Sequence, residues 1–225
     1  MNDYWLATLL APLLGVILTG CSSDTADIKQ ILWQMDSLSE IGGHKPTVLG
    51  SPQIIEALGA PAIAFNGQHD GIILEANPLS GARSFTVEVI FRPDPSVSKA
   101  QRFLHMQASE ERRVLVETRL TDSNEWFLDT FIKSGGSEKT LQSKGFLHPL
   151  GKWYHAALTY DGRRMRHYVN GAEEMSGEVE YAPVEGGQTS IGCRLNQVFW
   201  FQGAIQRVRI THSALDPNQF LERPE

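Results

Sequence analysis

The chain has 225 residues, of which 41% are hydrophobic and 20% charged. That is enough for one sizeable domain with its own core, and it excludes a low-complexity or intrinsically disordered chain. With 20 basic and 26 acidic residues the formal charge is -6, a balance that lacks the basic footprint of a nucleic-acid binder.

The first segment is "MNDYWLATLLAPLLGVILTGC". Its apolar run, Leu6 to Leu18, is too short to span a bilayer comfortably as a helix, and it ends in Leu18-Thr19-Gly20-Cys21. This resembles a bacterial lipoprotein signal peptide closed by its lipobox, although Asp3 stands where a basic residue is usual. The resemblance implies removal of residues 1–20 and lipid attachment to the Cys21 thiol, with residues 21–30 as a small polar tether. It also implies a cell-envelope location, and Ser22 after the cysteine favours the outer membrane. If Cys21 carries lipid, Cys193 is the other thiol of the chain and has no partner for an intramolecular disulfide.

From Ile31 onward, short alternating runs are separated by Gly, Pro, Asn and Asp, the pattern of an all-β sandwich or barrel. "SPQIIEAL" (Ser51 to Leu58) is short enough to read as a turn or two of helix. "FTVEVIF" puts Phe85, Val87, Val89 and Phe91 on one face and Thr86, Glu88 and Ile90 on the other. "RFLHMQ", "RVLVETRL" and "WFLDTFI" are strand-length and rich in β-formers. "WYHAALTYD" and "RMRHYVNG" follow, with hairpin signals at Asp161-Gly162 and Asn170-Gly171. "EEMSGEVE" reads as a solvated edge. "TSIGCRL", "VFWFQGAI" and "RVRITHS" read as the last strands, and "LDPNQFLE" as a final helical turn. No linker divides residues 31–225, which read as one domain.

"AFNGQHDGIIL", "SFTVEVIFRP", "KWYHAALTYDG", "YVNG", "SIG" and "FQGAIQRVRITHSAL" occur in the order and spacing of laminin-G-like domains. On those motifs the chain resembles the concanavalin A-like lectin/glucanase superfamily over roughly residues 31–221. The resemblance implies a two-sheet antiparallel jelly-roll sandwich, one sheet concave and able to cradle carbohydrate. It leaves function open, because lectins, adhesion modules, hydrolases and lyases share the fold.

The clustered-acid strand of the fold's glucanases, which sets two carboxylates about 5 Å apart, has no counterpart here. The polar strand positions Glu88, Arg92, His105, Glu117, Arg119, Asp129 and His155 are instead the ligand-binding or catalytic candidates. On one face they would suit a glycan with hydroxyl or carboxylate groups. They would equally suit a lyase, in which an arginine neutralises a uronate and a histidine takes its proton. The alternative is that they face water or pair as cross-strand ions. His155 alternates with the apolar set Tyr154, Ala156, Leu158 and Tyr160, so it should point outward, onto the concave surface. Trp200, out of phase with Phe199 and Phe201, is a stacking candidate. Related domains often hold a structural calcium. Asp70 and Asp161 are the weak metal candidates, but the chain does not visibly supply six to eight oxygens, and Gln206 stands where an aspartate often does. The reading is therefore a lipid-anchored carbohydrate binder that needs no cofactor. A polysaccharide lyase or glycoside hydrolase is the alternative, and an envelope adhesion module a further one.

Overall fold

The alternation predicted for the middle of the chain is realised as two stacked sheets. The protein's structure, a computed structural model, describes Met1 and residues 28–223; the expectations for the leader and Cys21 lie outside the described residues. In chain order the strands are β1 (Gln30–Gln34), β2 (Thr47–Leu49), β3 (Gln53–Ala57), β4 (Ala60–Asn66) and β5 (Gly71–Leu74). Next come β6 (Phe85–Pro93), β7 (Ala100–Ser109), β8 (Arg112–Leu120), β9 (Glu125–Ser134), β10 (Ser137–Gln142) and β11 (His148–Pro149). The last are β12 (Tyr154–Tyr160), β13 (Arg164–Val169), β14 (Ala172–Glu178), β15 (Gln188–Ile191) and β16 (Gln202–Thr211). Among the described residues the one helical turn is the 3-10 turn Pro217–Gln219.

The first sheet runs β14-β13-β12-β6-β16-β4-β3, with β1 beside β16. The second runs β10-β9-β8-β7-β15-β5-β2, with β11 beside β9. All strand pairs within the two sheets are antiparallel, so the molecule is a two-sheet antiparallel jelly roll. Two expectations are corrected here. "SPQIIEAL" is strand β3, because pairing with β4 outweighs its weak helical pattern. Residues 198–201 lie outside any strand, because Gln197 and Phe199 both adopt left-handed backbone (φ 58°) that a strand cannot contain.

The core fills the space between the sheets. Phe85, Val87, Val89 and Phe91 of β6 and Tyr154, Ala156, Leu158 and Tyr160 of β12 all point into it, as alternation requires. Phe91 stacks on Phe103 of the opposite sheet at 4.5 Å and meets Trp126 edge-on at 5.2 Å. Asn170-Gly171 closes β13 to β14 with both residues at positive φ, the two-residue turn the sequence signals. β16 changes partner midway. Gln202–Ile205 pair with β4 and residues 207–211 with β1, and the bulge between them places Gln206, whose amide donates to the Ala57 carbonyl (2.7 Å).

Each sheet also has an outer face, and the two are finished differently. The C-terminal segment crosses the outer face of the first sheet. Ser213 and Leu215 exchange hydrogen bonds with the Thr86 hydroxyl (2.7 and 2.8 Å), and the Leu221 N–H donates to the Glu88 carboxylate (2.6 Å). No such segment crosses β8 and β9 among the described residues, so the outer side chains of these two strands face solvent or one another.

Candidate functional site

A recess of about 210 Å³ opens on the outer face of the second sheet. Alternation on β8 turns Val114 and Val116 inward and Arg113, Leu115, Glu117 and Arg119 outward. On β9 it turns Leu128, Thr130 and Ile132 inward and Asp129 and Phe131 outward. Leu115 and Phe131 form an apolar floor, and Thr140 of β10 closes one side.

Arg102 reaches this face through a β-bulge. On β7, Arg102 pairs with Glu117 and Leu104 with the very next residue, Val116, which leaves Phe103 without a partner. Phe103 and Leu104 are therefore both buried, and the residue before them is shifted from the core side to the outer side. There the Arg102 guanidinium lies 2.8 Å from the Glu117 carboxylate and 3.8 Å from the centre of the Phe199 ring. Arg194 completes the rim from the loop after β15. That loop is folded back on itself: the Arg194 N–H donates to Val198 (3.0 Å), the Gln197 N–H to Arg194 (2.8 Å), and the Arg102 N–H to Phe199 (2.9 Å).

Four arginines thus line a recess on a chain whose overall charge is negative. Two carboxylates sit among them. Asp129 accepts from Arg119 Nε (2.6 Å), while Glu117 lies between Arg102 and Arg119 Nη2 (3.5 Å). Burial pushes the Glu117 carboxyl up to about 7, with Asp129 adding to the rise and the arginines opposing it. Burial likewise raises Asp129, against the pull of Arg119. The exposed Glu110 bridges the outer ends of Arg113 (3.1 Å) and Arg194 (3.5 Å). Arg102 Nη1 and Arg113 Nε are buried and have no hydrogen-bond partner, a costly state for a charged donor.

Of the sequence candidates, Glu117, Arg119 and Asp129 come together here. His105 belongs to the same face but not to the opening. It is wholly buried beneath the loop after β15, where its Nδ1 accepts the Leu195 N–H (3.2 Å). Burial, reinforced by Arg194, Arg113 and Arg102, lowers it to about 3, so the ring is neutral.

Glu88 and His155 are corrected more fundamentally, because they are on the other sheet. They point outward, as alternation requires, but the C-terminal segment covers them, and both are essentially inaccessible. His155 Nε2 lies 3.0 Å from Glu88 Oε1, and Arg209 bonds the second carboxylate oxygen. Phe220 packs over the imidazole at 5.4 Å. Burial alone would raise Glu88, but hydrogen bonds from His155, Arg209 and the Leu221 N–H leave it lowered. The reading that sets these candidates on one face, with His155 open on the concave surface, is thus overturned. Strand alternation says which side of a sheet a residue takes, not which sheet or what covers it. Arg92 is occupied with Asp94 (2.8 and 2.9 Å) on the first sheet. Trp200 is half-buried against Gly71, away from the recess.

Asp70 and Asp161 hold loops by hydrogen bonds. Asp70 accepts the N–H groups of Ser51 (2.8 Å) and Asn66 (3.1 Å), and Asp161 those of Arg163 (3.0 Å) and Arg164 (2.8 Å). Among the described residues no three His, Cys, Asp or Glu side chains are grouped to hold a metal ion. Sequence reasoning passed over Arg102, Arg113 and Arg194. Arg113 could have been found as the residue in phase with Glu117 and Arg119. Arg102 is hidden by the bulge and Arg194 by its loop.

This architecture, two antiparallel sheets packed as a jelly roll, is that of the concanavalin A-like sandwiches. Residues 66–219 match the Laminin_G_3 model of the Concanavalin A-like lectin/glucanases superfamily, and the chain belongs to that family. Among solved structures it is similar to domain 4 of AbnA, a GH43 extracellular arabinanase from Geobacillus stearothermophilus, in complex with arabinotriose. The identity there is 20%, over 85% of this chain and 96% of that one, with a TM-score of 0.67. It is also similar to the binding domain of botulinum neurotoxin DC in complex with SialylT, at 17% identity and a TM-score of 0.60. That match covers 84% of this chain and 49% of the toxin chain. A third similar structure is the heptameric SAP-like pentraxin from Limulus polyphemus, at 16% identity and a TM-score of 0.56 over 73% of this chain and 82% of that one. No match was found among curated proteins.

Proposed function

We propose that the domain binds carbohydrate in the recess on the outer face of the second sheet. The observation that carries this reading is the recess itself: an apolar floor of Leu115 and Phe131 surrounded by fixed polar groups, on a family fold whose opposite face is taken up by the chain's own C-terminal segment. The arabinotriose and SialylT complexes of the similar structures support it. We further propose that the domain is held at the bacterial envelope, in the outer membrane, by lipid on Cys21. A glycan array followed by calorimetry on the hits tests binding. Arg194→Ala, on the loop at the rim, should weaken it while the protein stays folded, and an array with no hits would end the reading. Metabolic labelling with a fatty-acid probe tests the anchor. Label should be lost in Cys21→Ser, and label retained by that variant would exclude attachment there.

A second reading, hydrolysis or elimination in the same recess, draws on Glu117. A carboxyl held at about 7 is suited to proton transfer at neutral pH. Release of reducing ends or unsaturated sugar by the wild type, lost in Glu117→Gln, would establish it in place of simple binding.

A further inference from the structure

We infer that the sugar taken by this recess is an acidic one, and that its carboxylate is received by the guanidinium groups of Arg102, Arg113 and Arg194. The inference rests on the carbohydrate-binding reading and names the chemical class of its ligand. Three observations carry it. First, the charges do not balance. Four guanidinium groups face the carboxylates of Glu117 and Asp129, and even with Glu110 drawn in at the rim the cations remain in excess. A neutral sugar would leave that excess uncompensated in the recess, whereas one carboxylate meets it.

Second, two of these arginines carry buried donors that lack partners. Arg119 is used by Asp129 and Glu117, but Arg102 Nη1 and Arg113 Nε are buried with nothing to bond. A carboxylate has two oxygens, so one ligand group can accept from both arginines through charge-assisted bonds.

Third, the arginines are held in place before any ligand arrives. Arg102 lies on Phe199 and Arg113 over Phe131 (5.4 Å), and the loop bearing Arg194 is closed by its own hydrogen bonds. Phe199 keeps its position by adopting left-handed backbone, φ 58°, which costs about 1 kcal/mol in a residue other than glycine. Side chains fixed in this way lose little freedom on binding.

Glu117 gives the recess a pH response. It faces Arg102 of β7, Arg119 of its own strand, Asp129 of β9 and Arg194 of the loop. As pH rises from 6 to 8 it ionises through its value of about 7, and the net charge of the recess falls by one. A saccharide carboxylate stays ionised throughout that range. Acidic sugars should therefore bind more tightly at pH 6 than at pH 8.

The test uses calorimetry with a panel of oligogalacturonate, sialyllactose, the carboxyl-reduced form of each, and a sulfated oligosaccharide of equal length. One acidic member should bind at least about tenfold more tightly than its carboxyl-reduced form, a difference of ~1.4 kcal/mol. Its affinity should fall with added salt and with rising pH. Arg113→Gln should remove most of the difference between acid and reduced forms, and Glu117→Gln should remove the pH dependence. If Arg113→Gln does not fold, Arg194→Gln, on the loop, is read in the same way. Equal binding of acid and reduced forms would overturn the inference and leave carbohydrate binding standing. Preference for the sulfated sugar alone would also overturn it. Failure of every saccharide, acidic or neutral, would remove the carbohydrate reading as well.

Discussion

His155 and His105 both occupy outward positions in alternating strands, yet neither meets solvent. For His155 the cause is its partners: Glu88 is held by His155, Arg209 and the Leu221 N–H, a group that fixes the C-terminal segment to the sheet. Glu88→Ala should destabilise the fold by about 3–5 kcal/mol, because it strands the charge of Arg209. Recess binding should be unchanged in the protein that remains folded, as denaturant melts beside a titration would show. The neutral buried histidines set a different property. Burial lowers His167, between Thr130 (3.0 Å) and Glu174 (3.9 Å), to about 4, and His105 stands at about 3. Unfolded, both would take protons near 6.5. The unfolded chain then binds more protons than the folded one, so these residues stabilise the protein above pH 6.5 and lose that contribution as pH falls towards 4. Glu117, raised rather than lowered, acts with the opposite sign between its unfolded value of 4.5 and about 7. The check is therefore a comparison of slopes. His167→Gln should lose less thermal stability than wild type between pH 6.5 and 4.5, and an equal loss would contradict this account.

At the scale of elements, the segment after β16 behaves as a strap. It satisfies Thr86, Glu88 and Arg209 with backbone groups of residues 213–221. Ending the chain at His212 should cost about 3 kcal/mol or more, since two of those bonds involve ionised groups worth about 1.5–3 kcal/mol each. An unchanged thermal midpoint would show the strap to be passive. Strands were the most legible part of the sequence, because β6, β8, β9 and β12 alternate cleanly and each has one apolar side. Legibility failed where a local departure resets the pattern. The bulge at Phe103 moved Arg102 across the sheet, left-handed Phe199 ended the expected "VFWFQGAI" strand, and the strap covered His155 from far along the chain. None of these leaves a trace in a period of two. Glu117, Arg119 and Asp129 were found because they lie on regular stretches of β8 and β9. Arg194 escapes the pattern because β15 ends at Ile191, inside the run "TSIGCRL" that alternation alone makes a strand.

Across the whole molecule, stability rests on the aromatic layer that joins the sheets. Phe91 contacts Phe103, Trp126, Tyr154 and Phe201 from the middle of β6. Phe91→Ala should cost about 3–5 kcal/mol, measured as a fall in denaturant midpoint, and a loss under 1 kcal/mol would mean that the sheets are held together elsewhere. The same architecture decides where each end of the described chain lies. β1 joins the first sheet beside β16, and the strap crosses that sheet's outer surface, so both ends belong to one side of the sandwich. The arginine-lined recess belongs to the other. β1 and the strap, the first and last parts of the domain, therefore lie behind the recess. If the recess takes carbohydrate as proposed, a long polysaccharide could run across the front in either direction and be gripped at an internal sugar, with no need to present a chain terminus.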